Sequence, residues 1–139
     1  MIQAIADRRS IRKYRAEEVP RPVLEEILNA GRLAPSSKNR QPWRFVVVRG
    51  KAKTDMLAAA RAGLAREKRT PLLPGSAQYM AGAEHTVQIM EQAPVIILIL
   101  NTLGLGVEEP LSPEDRIYEI CNAQSIGAAI ENMTLTATE

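Results

Sequence analysis

Two uninterrupted apolar runs punctuate the chain, Phe45-Val46-Val47-Val48 and Val95-Ile96-Ile97-Leu98-Ile99-Leu100. They predict strands over 44–49 and 94–100, each apolar on both faces and so buried on both. Gly50 ends the first. Between and around them the pattern changes to helical spacing. Over 23–34 the residues Val23, Ile27, Ala30 and Ala34 share one face, Glu25 and Glu26 lie near the positive end, and Pro22 suits the first turn. Residues 51–68 are Ala-rich with exposed Lys and Arg and read as a second helix, and residues 80–91 as a third. Ile2 and Ile5 put a short helical turn over 2–7. Loops fall at 17–22, at 70–75 with two prolines, and at 102–113, where Gly104, Gly106, Pro110 and Pro113 cluster.

The last predicted helix is the longest. Ser112 followed by Asp115 forms a capping pattern, and 114–139 has no breaker except Gly127, giving about 39 Å of helix at 1.5 Å per residue. Its middle, Ile126-Gly127-Ala128-Ala129-Ile130, is small and apolar all round, which predicts burial on every side, inside a core or between subunits. Two strands and four helices do not make a stable sheet domain, since three strands are usually needed. The expectation is therefore that further strands lie beyond residue 139 in a longer parent, or come from a partner chain.

Two stretches carry candidate chemistry. Residues 35–42 join helix to strand between two prolines, and Ser36, Ser37, Lys38, Asn39, Arg40 and Gln41 can all donate hydrogen bonds. Such a loop is either a solvated connector with Trp43 packing inward, or a set of donors for an anionic or carbonyl-rich group. Residues 8–15 hold five cations in eight positions. A helical turn would stack Arg8 and Arg12 on one side, where guanidinium forks suit phosphate and Ser10 adds a hydroxyl; otherwise this is a basic surface segment.

Composition narrows the classes. At 139 residues, 45% hydrophobic and 24% charged, the chain fits one soluble globular domain. The lone Cys121 excludes an internal disulfide, and with the lone His85 it cannot build a zinc site. No apolar run follows Met1, and the longest, 95–100, is far short of the roughly 20 residues of a membrane span. A cytoplasmic protein is expected. The net charge of +2 hides a division: residues 1–70 hold 17 Lys and Arg against 7 acids, and residues 71–139 hold one against 9. The cations are spread over several elements with few aromatics between them. This favours one local anion site over a nucleic-acid stripe.

Four short motifs occur in order: Arg8-Arg9-Ser10-Ile11-Arg12; Pro35-Ser36-Ser37-Lys38-Asn39-Arg40-Gln41-Pro42-Trp43-Arg44-Phe45; Met90-Glu91-Gln92-Ala93-Pro94-Val95; and Gln124-Ser125-Ile126-Gly127-Ala128-Ala129-Ile130-Glu131-Asn132-Met133. In this combination the chain resembles the FMN-dependent nitroreductase family over nearly its whole length. The family's next segment, a Leu-Gly-Leu-Gly turn with a following tryptophan, and its C-terminal strands and basic phosphate contacts are absent, so 1–139 reads as a single nitroreductase-like domain truncated at its C-terminus.

The resemblance implies an α+β fold, an α-β-α sandwich with a central mostly antiparallel sheet, in a homodimer that shares its interface with two FMN molecules. Arg8, Arg9, Ser10 and Arg12 would meet the phosphate, ribityl chain and pyrimidine edge. Pro35, Ser36, Ser37, Asn39 and Gln41 would reach the flavin from the other subunit. Gln124 and Ser125 would flank the substrate pocket, and their helix would form the dimer core. The implied activity is ping-pong hydride transfer through flavin N5, from NADH or NADPH to a nitroaromatic, quinone or similar small acceptor. No catalytic side chain, metal, nucleic acid or membrane is implied. A non-catalytic flavin-binding or dimerising fragment, and lastly a basic nucleic-acid-binding domain, are the alternatives.

Overall fold

The computed structural model describes residues 1–72, 75–105 and 110–139. Pro74 and Gly106, two of the predicted loop residues, lie outside these. The elements run α1 (Gln3–Asp7), α2 (Arg21–Arg32), β1 (Trp43–Val48), α3 (Gly50–Arg69), α4 (Met80–Gln92), β2 (Ile96–Asn101) and α5 (Pro113–Thr136), with 3-10 turns at Ser37–Asn39 and Ser76–Tyr79. The chain divides into two compact units. The first comprises Met1–Ser10, Pro20–Val46 and Leu98–Glu139, and the second Ile11–Val19 and Val47–Ile97.

In the first unit α2 packs along α5. The α2 helix starts on Pro20 with a proline in its first turn, as the sequence predicts, but its buried stripe is rotated from the predicted one. Leu24 and Gly31 are buried while Val23 is 43% exposed. Gly31 sets that rotation. A Cβ there would come within 2.8 Å of Met133 Cγ and Sδ and 3.0 Å of Phe45 Cζ, so the missing side chain is what lets the helices close. Asn132 Nδ2 then donates to the Ala30 carbonyl at 3.1 Å across the same seam. Gly31→Ala is expected to lower unfolding free energy by about 1–3 kcal/mol in urea titrations, as overpacking does, despite alanine's better helix propensity.

The capping pattern of α5 is realised. Ser112 Oγ accepts the Asp115 N–H at 3.1 Å and its hydroxyl donates to Asp115 Oδ2 at 2.6 Å. Glu114 and Asp115 sit in the first turn, where carboxylates complement the helix dipole. Ser112→Ala is expected to cost about 1 kcal/mol of stability, read from a shift in the denaturant midpoint at unchanged slope.

Within this chain the middle of α5 is buried on one side only, so of the two expected forms of burial the one inside a single core does not hold. Ala129 is fully buried in a cluster with Ala34 and Trp43, flanked by Phe45, Ile99, Ile126 and Ala128. On the opposite side Ile117, Ile120 and Ile130 are 61%, 53% and 42% exposed. One face is covered by this chain and the other is open.

The strands pair as β1-β2. Where β2 ends, the Thr102 N–H donates to the Pro42 carbonyl beside the start of β1, at 2.8 Å, so the pairing is antiparallel. The expectation that both strands are buried on both faces is corrected as well: Val47 and Leu100 are 37% and 46% exposed, because nothing among the described residues covers their outer faces. The short α1 ends at Asp7, where Arg8 turns to φ −54°, ψ 131°. No helical turn therefore stacks Arg8 on Arg12, and exposed Ile2 and Ile5 leave Ala4 as the buried residue of α1.

In the second unit α3 packs on α4, burying Leu57 and Val87. Gly50, at φ +56°, makes the turn that ends the strand and opens α3. Lys68 pairs with Glu84 and Arg61 with Glu91 between the two helices. The hydrogen bond that Arg61 donates to Glu91, and then the charge of Glu91, raise the Arg61 guanidinium above its ordinary value, though the group stands in water. Lys53 Nζ donates to the carbonyls of Glu91, at 3.0 Å, and Ala93, satisfying the open end of α4.

Candidate functional site

The loop 35–42 adopts an uncommon backbone without a glycine. Lys38, Asn39 and Gln41 all lie in the left-handed region, at φ +52°, +52° and +49°. Local bonds hold it there. The Asn39 and Arg40 N–H groups donate to the carbonyls of Ser36 and Ser37 at 3.0 and 3.1 Å. The Gln41 N–H donates to Ser36 Oγ at 3.0 Å, and Gln41 Nε2 to Asn39 Oδ1 at 3.1 Å. At the far end Pro42 and Trp43 are buried.

One long-range bond ties this loop to α5: the Ser37 N–H donates to Ser125 Oγ at 3.2 Å. The Ser125 hydroxyl itself donates to the Cys121 carbonyl at 2.7 Å, and the residue is 6% exposed. Ser125 thus serves as an anchor under the loop, while Gln124 next to it is exposed. Pro35, Ser37, Asn39 and Gln41 face water and Ser36 is half-buried.

The basic motif meets the same helix farther along. Arg8 Nε lies 3.5 Å from Glu131 Oε1. Arg9 folds back to donate from Nη1 to the carbonyls of Ala6, at 2.7 Å, and Arg8, at 2.8 Å, closing the end of α1. Its guanidinium has further donors, and the side chain is exposed. Six residues of α5 separate Ser125 from Glu131, about 9 Å of helix axis. Within one chain the loop donors and Arg8 stand at two heights on α5. Ser10 is exposed beside Arg9; Arg12 is exposed in the second unit.

Chemically this is a surface of donors. Neither the loop nor residues 8–12 contain a carboxylate, and Glu131 meets them at Arg8. Among the described residues no group of His, Cys, Asp and Glu could hold a metal ion, and no helix is long and apolar enough to cross a membrane. His85 is exposed on α4 and Cys121 half-buried on α5. An apolar groove of about 700 Å³ between α3 and α4, walled by Ala60, Gly63, Tyr79 and Ala83, includes none of the residues singled out from sequence. Sequence reasoning also missed Tyr118. The Lys38 ammonium and the Arg40 guanidinium lie over its ring at 5.7 and 4.3 Å, a pairing across 78 residues with no local signature.

A profile of the nitroreductase family matches residues 5–139. The chain belongs to the nitroreductase family. Its similarity to an NADH dehydrogenase of Thermus thermophilus is 47% identity over 70 residues, half of this chain and 34% of that protein. To the nitrobenzene nitroreductase of Ectopseudomonas oleovorans it is 41% over 56 residues, 40% of this chain and 25% of that one. Among solved structures, a Desulfovibrio desulfuricans protein named as a nitroreductase and crystallised in complex with FMN superposes with a TM-score of 0.63 at 35% identity, over 98% of this chain and 60% of that one. A BluB-like flavoprotein of Clostridium difficile gives 0.67 at 26% identity, over 97% and 68%. The chain thus spans about 60% of the first nitroreductase structure, and its segments match 34% and 25% of these two curated relatives. The fold is the α+β nitroreductase fold, as the four motifs led one to expect, with two of its strands among the described residues.

Proposed function

We propose that this nitroreductase-family protein is an FMN-dependent oxidoreductase of the NAD(P)H nitroreductase type, acting as a homodimer in the cytoplasm. The observation that carries the reading is the donor surface. The flavin offers phosphate, ribityl hydroxyl and ring carbonyl acceptors, and loop 35–41 with residues 8–10 presents donors and cations with no carboxylate among them. Arg8, Arg9 and Ser10 would hold the phosphate and ribityl chain, with Arg12 included on the strength of the motif. Glu131, exposed and 3.5 Å from Arg8, holds that side chain loosely and yields it to a phosphate. The loop 35–41 of the second subunit would orient the ring, with Asn39 and Gln41 as its exposed amides and Pro35, Ser36 and Ser37 shaping the backbone. Gln124, exposed next to the anchored Ser125, would border the acceptor's pocket.

Bound FMN would supply ping-pong hydride transfer at N5 between NADH or NADPH and a nitroaromatic, quinone or similar acceptor. The chain's own part is to bind, orient and donate hydrogen bonds where negative charge develops. The test is spectroscopic. Purified protein incubated with FMN and desalted should retain flavin absorption at about 450 nm. Anaerobic NADH or NADPH should bleach it, and a nitroarene or quinone should restore it. A protein that stays colourless overturns the reading; a yellow protein that no nicotinamide bleaches makes it a flavin-binding protein without turnover.

The open side of α5 supports the dimer. Ile117, Ile120 and Ile130 recur at helical spacing on an uncovered face, and the exposed Gly127 between them has nothing near its Cβ position, leaving room for a second helix. The wild-type protein is expected to scatter light as a dimer at micromolar concentration, and Ile120→Glu to shift it to monomer. A dimer unmoved by that charge would place the interface elsewhere.

A further inference from the structure

The cations of the donor loop invite a reading as phosphate ligands, but the structure lays both, still exposed, over the ring of Tyr118. Tyr118 stands on α5 about two turns before Ser125, with its hydroxyl donating to Glu114 Oε1 at 3.0 Å. The Arg40 guanidinium carbon lies 4.3 Å from the centre of its ring and Lys38 Nζ 5.7 Å from it, both within cation–π range. The two cations bracket Asn39, and the loop has left-handed backbone at Lys38, Asn39 and Gln41, where an L side chain is strained. Such a backbone persists only when its surroundings hold it. Ser125 holds the loop's first turn through the Ser37 N–H, and the buried Pro42 and Trp43 hold its end. In the stretch between, beside the local hydrogen bonds, Lys38 and Arg40 reach across to Tyr118.

We infer that Tyr118 is a positioning residue. Its ring draws Arg40 and Lys38 against α5 and so keeps the left-handed segment 38–41 in place, with the amides of Asn39 and Gln41 turned to water. Lys38 and Arg40 act as struts of the loop rather than as ligands. The claim that the held amides serve a flavin rests on the function proposed above; the claim that Tyr118 holds the loop does not.

Trypsin reads the geometry directly, because it cleaves after Lys38 and after Arg40 and a bond held in a left-handed turn is a poor substrate. Initial cleavage rates at these two bonds, mapped by mass spectrometry in the purified protein, would be compared for wild type, Tyr118→Phe and Tyr118→Leu, with cleavage after Arg66 inside α3 as the internal control. Tyr118→Leu removes the ring face and should speed both loop cuts about fivefold, the effect of losing two exposed cation–π contacts, while leaving the Arg66 site unchanged. Tyr118→Phe keeps the ring face, loses only the Glu114 bond, and should stay within about twofold of wild type. Unchanged loop cuts in Tyr118→Leu, equal acceleration at all sites, or failure of phenylalanine to restore protection would each overturn the assignment. Added FMN should slow the loop cuts in wild type. Protection that depends on Tyr118 in a protein indifferent to FMN would leave the positioning role standing and remove the flavin.

Discussion

Alanine at both Arg8 and Arg9 is expected to weaken FMN binding by about a hundredfold in fluorescence titrations. A charge-assisted hydrogen bond contributes about 1.5–3 kcal/mol, and exposure puts these two near the lower figure, so together they come to about 3 kcal/mol. Neither arginine is locked away from a ligand. The Arg8–Glu131 contact is 3.5 Å between half-exposed groups and worth less than about 1 kcal/mol, and Arg9 uses Nη1 on the carbonyls closing α1. Some of the loss at Arg9 would come from that closure, so the single variants separate the parts: Arg8→Ala should weaken binding while leaving the melting temperature unchanged. Salt supplies the second check. Wild-type affinity should fall as ionic strength rises, and the double variant should show a flatter dependence. Unchanged flavin content in the double variant would remove the phosphate site from this segment.

Trp43→Ala is expected to cost about 3–5 kcal/mol, a large share of the stability of a domain this size. Trp43 is 9% exposed, lies nearly parallel to Phe45 with ring centres 6.3 Å apart, and packs with Ala34 and the fully buried Ala129. The small Ala129 is what brings α5 close enough for an indole to fill the space, so alanine at 43 would leave a cavity between two backbones that cannot collapse onto it. Urea titration of the variant measures the loss. A cost below about 1.5 kcal/mol would mean that the cluster relaxes freely, contrary to the close packing read from it.

Much of this was legible in the sequence where the signal is local. Ser112 and Asp115 three apart announce the start of α5, Pro22 the start of α2, and the two apolar runs the strands. The family was legible from four motifs in order, which periodicity alone could not supply. The misses share a cause in tertiary contact. Which face α2 buries depends on Met133 and Phe45 closing over Gly31, so Leu24 rather than Val23 turns inward. The continuity of 8–12 as a helical turn failed because α1 is too short to propagate past Asp7 without packing to support it. Three left-handed residues in a loop with no glycine could not be foreseen, since their local bonds carry no sequence signature and the loop is also tied to Ser125, with two of its cations over Tyr118, far along the chain.

That glycine-free loop also marks where this protein exchanges durability for readiness. Glycine at Lys38 or Gln41 would relieve strain of about 1 kcal/mol at each position, partly offset by the greater entropy of the unfolded chain. An engineer screening for heat resistance would meet such variants early. They would also loosen a segment whose donors the proposed flavin site needs in place before the ligand arrives, and on that proposal the gain in melting temperature would return as a loss of affinity. Thermostabilisation of this fold is better sought at sites such as the α5 cap and the α3–α4 ion pairs, which leave the loop under tension.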